Sequence, residues 1–160
     1  MALVDMFLKL TGVEGESRDT AKPNQFQIQG FKMNARSPRD ASTGGVTGKI
    51  SITDLTIYTT VEKGTAKLFD MIGSNRKIST AELTCRKAGK EPFEFFKITL
   101  TDCYLSRVDI GEPRAEGGDV IPPCEFDIEF GQIQFQSREQ TGTGPTSGPV
   151  VAMIDLRSRK

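Results

Sequence analysis

Apolar and polar residues alternate along most of this chain, the pattern of strands that bury one face. Val4, Met6, Leu8 and Leu10 fall on one side, with Asp5 and Lys9 on the other, which predicts a half-buried strand. Phe26 and Ile28 open a second strand whose phase changes at Gly30, after which Phe31 and Met33 carry the apolar face. Ile50 and Ile52 give way to Leu55 and Ile57 with the same one-residue slip, and Phe126, Ile128 and Phe130 slip across Gly131 to Ile133 and Phe135. Such a slip turns the core face outward unless a bulge absorbs it. Three slipping strands, two of them slipping at glycine, predict a strongly coiled sheet or a closed barrel. The expected fold class is therefore mainly β, a bulged antiparallel barrel.

Residues 81–87 and 93–105 flank a turn containing Gly89 and Pro92, and read as a hairpin with a longer loop. Between the third and fourth strands, residues 65–73 predict one short helix. Thr65 is its expected N-cap, Leu68, Phe69 and Ile72 share its apolar face, and Gly73 suits the position after its last turn. Residues 37–48 are a run of turn-forming residues long enough to be functional or disordered. Residues 137–149, rich in Gly, Thr, Ser and Pro, read as a flexible linker to a C-terminal strand at 150–156, where Val150, Ala152, Ile154 and Leu156 alternate. A strand on such a tether can pair with its own sheet or with a neighbour's. At 160 residues the whole chain, 1–160, is expected to be a single domain.

Composition narrows the chemistry. Lys+Arg and Asp+Glu are both 21, so no cation excess drives phosphate binding, and no nucleic-acid partner is expected. The chain has no histidine, which removes Ser-His-Asp and Cys-His mechanisms and histidine-based metal sites or pH switches. Cys85, Cys103 and Cys124 contain no C-x-x-C pair and lie in apolar-patterned runs, the setting of small buried hydrophobes. Gly48-Lys49 fails as a phosphate-binding loop, because Thr43 stands where the first glycine is required and Ile50 where Ser or Thr must follow the lysine. Glu125, Asp127 and Glu129 form an acidic row on one strand face. Calcium loops need a turning backbone and carbonyl ligands, so this row reads as a solvated or interfacial face. The basic cluster Arg86-Lys87-Ala88-Gly89-Lys90 reads as a hairpin tip serving solubility or subunit pairing. No catalytic residue, cofactor site or metal site is singled out. The first residues lack a basic region followed by an apolar run, and no stretch approaches the ~18 uncharged residues of a membrane span, so neither a signal peptide nor a spanning segment is expected.

Several segments together resemble one family. Asp5-Met6-Phe7-Leu8-Lys9-Leu10 followed by residues 12–19 (GVEGESRD), residues 48–56 (GKISITDLT), and above all residues 81–106 (AELTCRKAGKEPFEFFKITLTDCYLS) are similar to the haemolysin-coregulated protein (Hcp) family of the type VI secretion system. Gly148-Pro149-Val150 with Asp155-Leu156-Arg157 fits the family's closing segment. The chain departs from the family in lacking Trp in the second strand and near the C-terminus, and a His near the end of the first loop. The neighbourhoods here read Phe31-Lys32-Met33, Met153-Ile154 and Lys22-Pro23. The resemblance implies a non-enzymatic β-barrel with a short helix, assembled into six-membered rings that stack as a hollow tube. It implies a spike protein, a contractile sheath and small effector proteins as partners. It also implies synthesis in the bacterial cytoplasm and secretion to the extracellular space or a target cell.

On that reading the loop 37–48 is the candidate ring-stacking contact, through Asp40, Ser42, Thr43, Gly44, Gly45 and Thr47, because an extended loop can order on meeting the next ring. Lys32 lies between Phe31 and Met33 and points away from their face. It either lines the lumen and meets cargo or is simply solvated. The rival readings are a contractile-phage tail-tube subunit and a monomeric barrel holding a small apolar ligand among its ten phenylalanines.

Overall fold

The computed structural model describes residues 4–39, 42, 44, 45, 50–89, 91–111, 121–139 and 148–157. The strands are β1 (Val4–Leu10), β2 (Phe26–Ile28), β3 (Gly30–Lys32), β4 (Ala35–Arg36), β5 (Ser51–Ile52) and β6 (Leu55–Thr60). After the helix α1 (Thr65–Gly73) come β7 (Ile78–Lys87), β8 (Phe93–Ile110), β9 (Pro123–Ser137) and β10 (Val150–Asp155). Among the described residues, eight strands form one antiparallel sheet in the order β2-β1-β7-β8-β9-β6-β3, with β10 added beside β9. The two end strands, β2 and β3, are halves of one stretch separated only by Gln29. β2 pairs with β1 at one end of the sheet and β3 with β6 at the other, so the sheet curls until it nearly closes on itself. The Gln29 N–H donates to the Tyr58 carbonyl at 2.8 Å and the Thr59 hydroxyl donates to the Gln27 carbonyl at 3.3 Å, drawing the two ends together. Closure removes the exposed edges that an open sheet would carry.

The inside is filled by the protein's own side chains. Phe26, Phe126, Leu55, Ile57, Ile98, Leu100 and Ile128 are fully buried, and the rings of Phe26 and Phe126 meet at 6.0 Å with a 59° tilt. The alternation read from the sequence is visible in β6, where Leu55, Ile57 and Thr59 are buried and the residues between them are not.

The phase slips are real, but among the described residues none of the three is absorbed by a bulge. At Gly30 the strand breaks in two, and between Ile52 and Leu55 it breaks at Thr53-Asp54. At Gly131 no register shift occurs. Cys103 pairs with Phe130 and Thr101 with Gln132 at one constant offset. Instead both strands turn over together, the buried set passing from Cys103 and Leu105 to Leu100 and Ile98 as it passes from Phe130 to Ile133. Asp102, on the facing strand, takes a left-handed φ of 56°, which allows the paired turnover without an inserted residue. The register shifts lie elsewhere, between Cys85 and Arg86 where β7 meets β8, and between Leu105 and Arg107 where β8 meets β9.

The helix also corrects its predicted details. Gly64, not Thr65, occupies the N-cap, and it makes no side-chain cap bond. Thr65 is the first helical residue, and its hydroxyl accepts the Glu62 N–H at 2.9 Å. A side chain at Gly64 would meet the Phe26 ring at 2.6 Å and the Glu14 carbonyl at 2.7 Å, so close approach dictates the residue. The buried face of α1 is Thr65, Leu68 and Met71, while Phe69 stands exposed. Gly73 ends the helix without a left-handed turn, which falls instead on Asn75 at φ 49°. Of the stretch expected as a linker, residues 140–147 lie outside the described residues.

Candidate functional site

Among the described residues, two surfaces stand out from the buried core: a polar outer face of the sheet and the open edge of β10. On the polar face, the ladder places Lys32 of β3 beside Thr56 of β6, Thr56 beside Asp127 of β9, and Asp127 beside Arg107 of β8. These residues point outward because their neighbours Leu55, Ile57, Phe126 and Ile128 point in. The Arg107 guanidinium bonds Asp127 at 2.9 Å, Glu125 at 3.0 Å and Asp109 at 3.2 Å, and the Thr56 hydroxyl donates to Asp127 at 2.7 Å. The Arg107 bond holds the Asp127 carboxyl below the usual carboxylate range. With Asn34, Thr53, Asp54 and Tyr58, all of these groups but Asp109 line a shallow hollow of about 450 Å³.

The acidic row is thus split. Glu125 and Asp127 share the single guanidinium of Arg107, and Glu129 stays exposed opposite Tyr104. The sequence reading missed Arg107. It reaches the row because the bulge inserts Ser106, whose hydroxyl donates to Asp54 at 2.6 Å, and no local motif announces that bulge. Lys32 is exposed at the rim of the hollow, while Phe31 and Met33 pack against the core, the opposition expected from the sequence.

The basic cluster is corrected more sharply. Arg86 does not stand at a hairpin tip. Its side chain is 8 % exposed, lies 4.9 Å over the Phe7 ring, and binds Asp19 at 2.6 Å and Asp5 at 3.3 Å. The guanidinium bond depresses the Asp19 carboxyl to about 2. Arg86 therefore ties β7 to β1 and to the loop after β1. The cysteines behave as small buried groups, burial pushing the Cys85 thiol up to about 11 and Cys103 to about 12.

β10 is different in kind. It pairs with β9 from Val150 opposite Ser137 to Asp155 opposite Gln132, and among the described residues no strand lies along its other edge. Val150, Val151 and Met153 are 72 %, 51 % and 56 % exposed. The strand is fastened at its end, where the Leu156 N–H donates to the Gly131 carbonyl at 2.8 Å and Arg157 crosses Gly131 to bond Asp102, Asp155 and Gln132. A side chain at Gly131 would press on the Arg157 Cδ at 3.0 Å, so the glycine leaves room for this crossing. Lys77 adds a second cation to Asp102 at 2.8 Å.

Of the loop 37–48, Asp40, Thr43 and Thr47 lie outside the described residues. The β4–β5 ladder, Ala35 opposite Ile52 and Arg36 opposite Ser51, makes the base of an arm separate from the main sheet. Within it Ser42 lies in a turn, Gly45 is exposed, and the Gly44 carbonyl accepts the Arg39 guanidinium at 3.3 Å.

Known proteins resemble this chain along most of its length. Residues 7–137 match a family model described as "Type VI secretion system effector, Hcp". The chain is 30% identical over 148 residues to Protein hcp1 of Pseudomonas aeruginosa, covering 91% of this chain and 90% of that protein. Among solved structures, Hcp1 from Salmonella typhimurium superposes with a TM-score of 0.80 at 25% identity, covering 100% of this chain and 99% of that one. A structure described as a type six secretion system protein gives a TM-score of 0.89 at 22% identity, covering 99% of each chain, a likeness of fold.

Proposed function

Because this chain belongs to the Hcp family of type VI secretion proteins, we propose that it is a structural tube subunit whose six-membered rings stack into the hollow inner tube of that system. The observation that carries this reading is the open β10 edge. A strand with one edge unpaired and three apolar side chains half or more exposed is costly in an isolated barrel, and suits a surface covered by another copy. A ring built this way uses a heterologous contact whose rotation closes on itself. The polar face around Lys32 and Arg107, with its charges largely paired, is suited to a wetted lumen wall against which small effector proteins travel without sticking. Stacking is assigned to the arm beyond β4 and β5, through Asp40, Ser42, Thr43, Gly44, Gly45 and Thr47, with the spike and contractile sheath as further partners and the exterior or a target cell as destination.

Light scattering behind size exclusion, followed by negative-stain imaging of the same peak, tests the reading. The expected result is a six-subunit mass and ring-shaped particles that stack at high concentration, with rings but no stacks after deletion of residues 40–47. A monomer that retains a small apolar ligand would overturn the tube reading, and stacks of normal length from the deletion variant would overturn the role of the arm.

A further inference from the structure

Away from both surfaces, the turn between β6 and α1 holds a carboxylate in an unfavourable place. Glu62 is partly buried, and its Oε1 atom has no hydrogen-bond partner among the described residues. Its neighbour across the contact is another carboxylate, Glu16, on the loop between β1 and β2. Glu16 accepts the Lys63 N–H at 2.6 Å, while the N–H groups of Glu16 and Gly64 face the Glu62 carboxyl. Each acid thus holds the backbone beside the other, and the two segments are locked face to face. The fit is tight, since Gly64 leaves no room for a side chain against Glu14 and Phe26.

The charged and titratable groups around Glu62 do little to compensate its charge. From the β1–β2 loop come Glu16 and Glu14, both acidic, with Arg18 at the rim of the hollow that Lys63 and Glu16 share. From β9 comes the buried Cys124 thiol, itself pushed up by burial and by Glu62. The nearest cation, Lys63, lies on the same turn and spends its ammonium on Glu14 at 3.8 Å, in a pair exposed on both sides. An ionised Glu62 therefore carries a partly buried charge on a carboxyl with one unpartnered oxygen and faces a like charge, whereas a protonated one is free of both the buried charge and the repulsion.

We propose that the Glu62–Glu16 contact is a proton-sensitive clasp, closed when Glu62 is protonated and loosened when it ionises, so that the loop between β1 and β2 opens from the start of α1 as pH rises. Burial first, and the Glu16 charge second, push the Glu62 carboxyl from 4.5 up to about 7. The sign follows from linkage. A carboxyl raised in the folded state binds more protons folded than unfolded between those values, so its favourable contribution is full below 4.5 and declines as pH rises through about 7.

Amide hydrogen exchange of the full chain, corrected for the intrinsic pH dependence, reads the clasp directly. Between pH 6 and pH 8.5 the protection of residues 13–17 and 62–65 is expected to fall roughly tenfold or more, as one coupled proton of this pKa requires. Protection elsewhere in the sheet should stay constant. The Glu62→Gln variant should show high protection at both pH values, and Glu16→Gln, which removes the like charge, should move the fall to lower pH. Carboxyl NMR on the unmutated protein supplies an independent readout if the variants fold poorly. A Glu62 midpoint near 7 supports the clasp, whereas a midpoint near 4.5, or the same loss of protection in Glu62→Gln, would overturn it.

Discussion

Two arginines in this molecule hold the same chemical arrangement, a guanidinium between two aspartates, and do opposite jobs. Arg86 binds Asp5 and Asp19 with its side chain 8 % exposed, on top of the Phe7 ring and beside a β1 paired with β7 along its full length. Arg157 binds Asp102 and Asp155 with its side chain 51 % exposed, at the end of a strand that rests on the outside of the sheet. Desolvation separates them. The partner carboxylates are about equally exposed in the two clusters, so the difference lies in the guanidinium, packed on an aromatic ring in one and open to water in the other. The β1–β7 side of the barrel is therefore built to fold by itself, and the β10 side is fastened only well enough to present an edge.

The contrast predicts a graded series of variants, read by urea unfolding of the dissociated protein. Phe126→Ala should have the largest effect, about 3–5 kcal/mol, because it empties the position packed against Phe26 at the centre of the barrel. Met153→Ala, on β10, should leave the midpoint unchanged within about 0.5 kcal/mol. Arg86→Ala should fall between these two, mainly through the lost packing of its side chain on the Phe7 ring together with the loss of its two ion pairs. Arg157→Ala should leave the global midpoint in place and raise the exchange of β10 amides alone. An equal loss of stability from the two arginine variants would break the comparison. Acid sharpens it. With the Asp19 carboxyl held at about 2, its contribution is complete above the ordinary value of 3.8 and is lost as pH falls through 2, so thermal unfolding between pH 5 and pH 2 should be less steep in Arg86→Ala.

Much of the barrel was legible in the chain because burying one face of a strand imposes a period of two. The alternation in Leu55 to Thr60 and in Phe126 to Phe130 locates both strands and their inner faces. What could not be read locally are the features that join distant residues. Gly131 announces a change of phase, but its mechanism needs Asp102 in a left-handed conformation on the neighbouring strand and Arg157 passing overhead. Arg86 sits in a segment that reads as a solvated tip, and only the β1–β7 register, which places it opposite Asp5, makes it part of the interior. The same holds at the candidate surfaces. The acidic row was visible as Glu125, Asp127 and Glu129, but the arginine that pairs with two of its members arrives through a bulge at Ser106. Thr65 has the chemistry of an N-cap, yet Gly64 takes that place because Phe26 and Glu14 leave no space for a side chain.

The central claim is that the barrel is complete alone and that the β10 edge exists to be covered by a second copy. It is tested most directly by the mass in solution of the unmutated protein and of a Val151→Asp/Met153→Asp variant, measured side by side by light scattering at equal concentration. The account predicts a six-subunit mass for the first and, for the second, a folded monomer of 17.6 kDa with an unchanged urea midpoint. Six subunits in both, or an unfolded variant, would contradict it.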